Sequence, residues 1–452
     1  MSDHRVPGLS NLFRPSVYDP LTPQDLLIDE LAQRSETGYD VSHVVREANE
    51  IGPEDRSGLR ALVDKCEGLT RLFRWPYEEP DELAEIQGAA GTVPSMAMDP
   101  TEYEDRVLAG WLGRIAGCNL GKPVEDAPHW TRQHLRDYLH LAGAYPLLDY
   151  FPVLEPMPDG YRFRENWPQT TRGHIAGSDR DDDIDYAILA LHLLEEHGAK
   201  LDADHVAQAW LSLLPIEQTF TAERATYIAL VDGAPPCTAG ARRNPYREWI
   251  GAQIRGDVFG YVYPGRLAQA AALAFQDATL SHRGNGIYGE MWSAALVSAA
   301  FGARNPEEAV RASLTVIPQR SRLHEALSFV LSLRAECDDW ESAIDQILSA
   351  YSHYSWVHTI NNAAVVAAAL LWSDNYAQAV GRVVMSGLDT DSNGATVGSV
   401  AGVLWGTAGI PPHFTRPLDD RTRSALFGFD NSKISDLACR TVIVGRNLEL
   451  ES

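Results

Sequence analysis

The chain lacks what a disulfide-braced, nucleic-acid-binding or membrane-spanning protein needs. Its five cysteines (Cys66, Cys118, Cys237, Cys337, Cys439) are odd in number, scattered, and free of CxxC spacing. That argues against a disulfide framework or a zinc site, and free thiols in a reducing cytoplasm are expected. Basic residues are scarce: 38 Lys and Arg stand against 62 Asp and Glu, a net charge of −24. Such a surface repels phosphate backbones and anionic lipids, so no nucleic-acid or membrane partner is expected. Long apolar runs are missing as well. The uncharged stretch Thr359–Trp372 is too short to span a bilayer, and Ser392–Pro412 is interrupted by glycines. Met1–Ser10 shows neither an apolar core nor a cleavage pattern, so no secretory signal is expected.

Alternating, strand-like patterns are rare, and helical periodicity takes their place. From Glu102 onward it predicts helices over Glu102–Gly117, Asp183–His197, Ala203–Leu214, Leu267–His282, Glu290–Phe301, Ser321–Ala335, Asn361–Leu371, Tyr376–Met385 and Asn393–Gly406, among others. The expected class is all-α. Residues 1–98 read differently, mixing proline, charge and short helical patterns, and Gly88–Pro100 has the small-residue composition of a linker. The expected organisation is an N-terminal helical accessory region, residues 1–98, before a compact multi-helix domain, residues 99–452. The accessory region reads as a cap or oligomer contact, or else as a lid.

Two predicted helices carry glycine at helical spacing: Gly110, Gly113, Gly117 and Gly121 in one, Gly394, Gly398, Gly402 and Gly406 in the other. A glycine inside a helix costs ~1 kcal/mol relative to alanine, so the second helix gives up ~3 kcal/mol of local propensity. Close backbone approach is the usual compensation. These helices are therefore expected deep in the core, in contact with each other or each with another neighbour, holding their polar ends rigidly.

Those ends matter because of two acidic clusters. Asp179-Arg180-Asp181-Asp182-Asp183-Ile184-Asp185 precedes an apolar run. Acids at a helix N-terminus can simply cap N–H groups, but three consecutive carboxylates repel one another without a cation. The second cluster is Asp389-Thr390-Asp391-Ser392-Asn393-Gly394. It begins like an EF-hand loop, yet Val400 stands where the bidentate Glu belongs. What survives is a turn entering a helix, with Asp389, Asp391 and Ser392 facing an ion, or an Asx turn with an N-cap. Neither cluster has His or Cys beside it, so hard oxygen ligands suit magnesium, manganese or calcium better than zinc. Elsewhere, Ser281–Glu290 is a glycine-rich turn entering a helix, with Glu290 expected near its start as a cap. His358 precedes another helix as a cap, a core residue or a base. Tyr246, Trp249, Tyr261 and Tyr263 could stack on a ring or merely pack.

These residues together resemble the ADP-ribosylglycohydrolase family, which includes the dinitrogenase reductase-activating glycohydrolase. Val107–Glu125 is similar to the family's glycine-rich first helix ending in Pro-Val-Glu. Asp181-Asp182-Asp183 stands where the family usually has Thr-Asp-Asp. Asp389-Thr390-Asp391-Ser392-Asn393 matches its Asp-Thr-Asp-Thr/Ser-Asn signature, and Gly284-Asn285-Gly286 resembles an element between them. The resemblance spans residues 102–415. It implies an all-α fold, two magnesium or manganese ions in a central cleft, and hydrolysis of an N- or O-glycosidic bond at the anomeric carbon of an ADP-ribose-like ribose. Carried over, it implies Asp181, Asp182, Asp183, Asp389, Asp391 and Ser392 as metal ligands, with Glu125 or Asp182 as the proton-transferring acid. Asn119, His282, Asn285, Gly286, Tyr288 and His358 would contact substrate. The partner would be a ribosylated small molecule or an ADP-ribosylated protein. Asp181 in place of Thr, and Ile184 in place of a frequent hydroxyl residue, put the substrate in question. The alternatives are an N-glycosidase acting on a nucleoside or NAD-derived metabolite, and a non-enzymatic binding protein on the same fold.

Overall fold

A computed structural model describes residues 21–450 of the chain. Among them are 22 α-helices, and the only named strands are the antiparallel pair Arg421–Thr422 and Ser432–Lys433. The expected all-α class holds. No helix is long and apolar enough to cross a membrane among the described residues.

At the centre lie the two glycine helices, Tyr103–Gly121 and Thr390–Gly409, antiparallel and pressed backbone to backbone. A Cβ on Gly113 would overlap the carbonyl oxygen of Gly398, one on Gly117 that of Gly394, and one on Gly402 that of Ala109. The seam ends where Gly121 meets the Thr390 carbonyl, and there Thr390 Oγ1 donates to the Gly121 carbonyl at 2.9 Å. Direct contact thus offsets the lost propensity, as expected. Two glycines of the stripes stand outside the seam. Gly110 faces the Tyr261 ring, and Gly406 takes φ 67° at a kink beside Asp105.

Around this pair pack Asp182–His197, Leu267–Ser281, Asn285–Ala300, Thr359–Leu371 and Tyr376–Met385, burying one continuous apolar core. The C-terminal helix Ile434–Leu450, which the sequence reading did not anticipate, is fastened to the first glycine helix by Trp111 Nε1 donating to Thr441 Oγ1 at 3.0 Å.

A second, smaller cluster of Leu27, Leu31, Val44, Val45, Leu59, Leu62 and neighbours is formed by Pro23–Glu36, Ser42–Glu50 and Arg56–Lys65. Gly88–Pro100 does not behave as a loose linker. Gly91 N–H donates to the Thr315 carbonyl at 3.1 Å and Met96 N–H to the Gly265 carbonyl at 2.9 Å, so its backbone is pinned along the larger core.

Candidate active site

Both acidic clusters reach one place because both begin helices that abut the glycine seam. Asp181 occupies the N-cap position of Asp182–His197, and its Oδ1 accepts the Asp183 N–H at 3.0 Å, so capping and clustering coexist there. Asp389 occupies the N-cap position of the second glycine helix, but its side chain makes no capping hydrogen bond. The turn before it is strained: Gly387 and Leu388 both take left-handed backbone, φ 74° and 62°. For a residue as bulky as Leu388 that conformation costs roughly 1–2 kcal/mol, a strain typical of functional turns. Asn362 holds the result, accepting Asp389 N–H at 3.3 Å and Asn393 Nδ2 at 2.7 Å through its Oδ1. Glu125 arrives from the end of the first glycine helix and is anchored by Arg164 at 2.7 Å.

Glu125, Asp181, Asp182, Asp183, Asp389, Asp391 and Ser392 line one cavity of about 210 Å³. Within it, Glu125, Asp389 and Asp391 each bring a carboxylate oxygen within 4.8 Å of the others, and at its wall Asp181 and Asp183 form a second such group with the buried Cys118 Sγ, which does not line the cavity. Ser392 Oγ donates to Asp183 Oδ2 at 3.2 Å, joining the two clusters. The rest of the lining includes Phe220, Tyr246, Trp249 and Trp356 with Arg164, Arg180 and Arg224. Of the four aromatics weighed as ring-stacking candidates, Tyr246 and Trp249 line the cavity, whereas Tyr261 and Tyr263 are core residues.

Negative charge dominates the electrostatics. Burial, and then Asp391 beside it, push the Glu125 carboxyl well above the usual carboxylate range. Burial followed by Asp181 does the same to Asp182 and Asp183, and burial followed by Asp391 to Asp389. Asp391 is raised by burial and by Asp181. Only Asp181 goes the other way: burial alone would raise it, but Lys122 and then Arg180 hold it below its ordinary value. The other carboxylates carry more charge than their protein neighbours balance, and Asp183 Oδ1 is buried without a hydrogen-bond partner. The all-oxygen group of Glu125, Asp389 and Asp391 fits a hard divalent cation such as Mg²⁺ or Mn²⁺.

The structure separates the remaining candidates from this cavity. Asn119 sits inside the first glycine helix, where its Nδ2 donates to Ser178 Oγ at 2.8 Å and its Oδ1 accepts Asp179 N–H at 3.3 Å. It thereby fixes the loop leading to Asp181–Asp183 and does not line the cavity. His282, Asn285, Gly286, Tyr288 and His358 do not line it either. Asn285 Nδ2 donates to Glu248 at 2.9 Å and to Glu79 at 2.8 Å, and Tyr288 OH donates to the Pro80 carbonyl at 2.5 Å. These residues receive the N-terminal region. Gly286 packs closely under the Arg247 carbonyl and the His282 ring. His358 is a helix cap, its Nδ1 accepting Ile360 N–H at 3.2 Å. Glu290 is no cap: its helix begins at Asn285, and its buried carboxylate lies 3.4 Å from Arg255.

Sequence reasoning missed the cations. Arg114, wholly buried, donates to the Asp183 carbonyl and to Asp257 Oδ2, both at 2.5 Å. Lys122 pairs with Asp179 and Asp181, each at 3.1 Å. Both interrupt an otherwise uncharged run from Val107 to Val124, which was the available signal.

The fold is all-helical, and its two helix-borne Asp clusters meet in one cleft whose acidic groups could hold a metal ion. The sequence profile described as ADP-ribosylglycohydrolase matches residues 99–442, and the chain belongs to that family. Among solved structures, one described as "ADP-ribosylglycohydrolase-related protein complex" is similar at 18% identity and a TM-score of 0.45, covering 76% of this chain and 99% of that one. A search of curated proteins finds no match.

Proposed function

We propose that the chain is a divalent-metal-dependent hydrolase that cleaves an N- or O-glycosidic bond at the anomeric carbon of an ADP-ribose-like ribosyl group. One observation carries this reading: Glu125, Asp182, Asp183, Asp389, Asp391 and Ser392, drawn from three helix ends, face a single cavity in a chain of this family. Mg²⁺ or Mn²⁺, when bound, orients sugar hydroxyls and a water and stabilises developing charge. The chain's own groups do the rest. Glu125, Asp389 and Asp391 would hold the cation, and Ser392 orients Asp183 through its hydrogen bond. Asp182 is the acid available to take a proton from water or give one to the leaving group, Glu125 being engaged with the cation and Arg164. Phe220, Tyr246 and Trp249 offer apolar faces to a sugar or base, and Arg224 offers a guanidinium to a phosphate.

A second reading keeps the chemistry and replaces a modified protein by a small metabolite. It is favoured by Leu21, which lines the cavity together with Trp356 and so brings the N-terminal segment to its edge. Free ribosyl product should be measured from ADP-ribosylated protein and from ribosylated small molecules, each with Mg²⁺ or Mn²⁺. Wild type is expected to be active and Asp391→Ala to lose roughly 10²- to 10³-fold. Equal rates in the two proteins would overturn the metal-site reading. Turnover of small molecules alone would select the second substrate class.

A further inference from the structure

The cavity contains a cation of its own. Lys122 directly follows the first glycine helix, its side chain is only 3% exposed, and it lines the cavity. Its Nζ lies 3.1 Å from Asp179 Oδ2 and 3.1 Å from Asp181 Oδ2, and it also donates to the Arg180 carbonyl. An ammonium has three N–H donors, and here each has a partner. Asp181 is equally committed, because Oδ2 faces Lys122 while Oδ1 accepts the Asp183 N–H.

The two carboxylate groups of the cavity are therefore unlike. In the group of Cys118, Asp181 and Asp183, Lys122 is committed to Asp181, and Arg114, whose ion-pair partner is Asp257, lies 3.8 Å from the Oδ1 of Asp183. In the group of Glu125, Asp389 and Asp391, only Glu125 has a protein cation, Arg164, and neither aspartate forms an ion pair among the described residues. A divalent ion placed on Asp181 would have to approach a buried ammonium that shares the same carboxylate. Like charges at such range in a poorly hydrated site repel strongly.

Resting on the metal-dependent reading above, we propose that this chain holds a single divalent cation, on Glu125, Asp389 and Asp391, and that the Lys122 ammonium bound to Asp181 stands in for a second. Asp181, which stands where the family usually has Thr, and Lys122 then form one device, a carboxylate paired with a fixed ammonium. Lys122 serves as fixed charge and not as a Lewis acid, since an ammonium with all its donors engaged has no open position for a water or a sugar hydroxyl.

Metal content tests this directly. The full chain is dialysed against increasing Mn²⁺, bound metal per chain is measured by mass spectrometry, and the spin-resonance spectrum is recorded. The wild type is expected to bind one Mn²⁺ with the hyperfine-resolved signal of an isolated ion. Lys122→Met, checked for folding by circular dichroism, is expected to bind two, with the broadened signal of an exchange-coupled pair. Two ions or a coupled spectrum in the wild type would overturn the inference, and this arm needs no variant to fold. One ion in both proteins would remove Lys122 from the explanation. A wild type that binds no metal at all would defeat the proposed metal dependence itself, an outcome distinct from either.

Discussion

Between Val107 and Val124 the only charged side chains are Arg114 and Lys122, and each is a cation beneath an acidic cluster. Arg114 does more than balance charge. By donating to the Asp183 and Ile254 carbonyls it ties the first turn of one helix to the segment before Asp257. Arg114→Met would leave Asp257 buried without its guanidinium, and breaking a buried pair on one side costs about 3–5 kcal/mol. Urea denaturation should show that loss in the single variant and substantial recovery in Arg114→Met/Asp257→Leu. A single variant within about 1 kcal/mol of wild type would mean that Asp257 is neutral or newly hydrated in the folded chain. The site residues differ in how readable they were. Asp389 and Asp391 stand out as alternating acids at a helix start. Arg114 and Lys122 stand out only as the two charges in that run, and the acid that Arg114 meets does not stand out at all, because its ion pair with Asp257, 143 residues away, leaves no local pattern.

At the scale of the element, the glycine seam decides where the acids end up. A spacing of four at Gly113, Gly117 and Gly121, and at Gly394, Gly398 and Gly402, brings these glycines against the backbone of the facing helix, and the register places Gly121 against Thr390, so Glu125 and Asp391 emerge side by side. Glycines outside such a contact should behave in the opposite way. Gly398→Ala gains about 1 kcal/mol of helix propensity but drives a methyl group into the Gly113 carbonyl. Overpacking of this kind costs about 1–3 kcal/mol or more, so a net loss of stability is expected, with lower metal affinity because the helix ends move apart. Gly88, in the helix Leu83–Ala89 with open space where a Cβ would sit, should gain about 0.5–1 kcal/mol on replacement by alanine. Thermal denaturation of the two variants checks the signs, and two shifts of the same sign would refute the seam argument. The stripes were legible in the sequence as small-residue faces. That Gly110 and Gly406 stand outside the contact was not, because a stripe shows which face is small and not which partner meets it.

On the scale of the whole molecule, the N-terminal region and the family-matched residues meet at a buried charge network. Arg322 pairs with Glu79 at 3.0 Å and with Glu248 at 2.6 Å, and Gln33 donates to Glu248 at 2.7 Å. Glu36 faces the same network, with Glu248, Asp29, Arg322 and His358 around it. Burial, then the Glu248 and Asp29 charges, outweigh Arg322 and push its carboxyl up from 4.5 to about 8. An acid whose folded pKa is raised stabilises the folded form fully below its unfolded value and loses that contribution as pH rises through its folded one. Docking of Pro23–Glu36 should therefore weaken between pH 4.5 and about 8. Hydrogen exchange across this helix should quicken over that interval beyond the intrinsic pH effect, and Glu36→Gln should flatten the change. An unchanged profile in the variant would assign the pH response to another group.

By itself the sequence determined the helical class, the two acidic clusters, the small-residue faces of the helices that carry them and the family, because each is written in local composition and spacing. Helical periodicity and a turn of alternating acids need no knowledge of distant residues. Only the tertiary structure decided which acids share a cavity and which glycines touch. It also decided that Lys122 neutralises Asp181, and that Asn285, Tyr288 and His358 serve the contact with the N-terminal region instead of lining the cavity. Those outcomes depend on the register of antiparallel helices and on charges paired across long stretches of chain. Register and pairing are properties of packing, and packing is settled among all the elements at once.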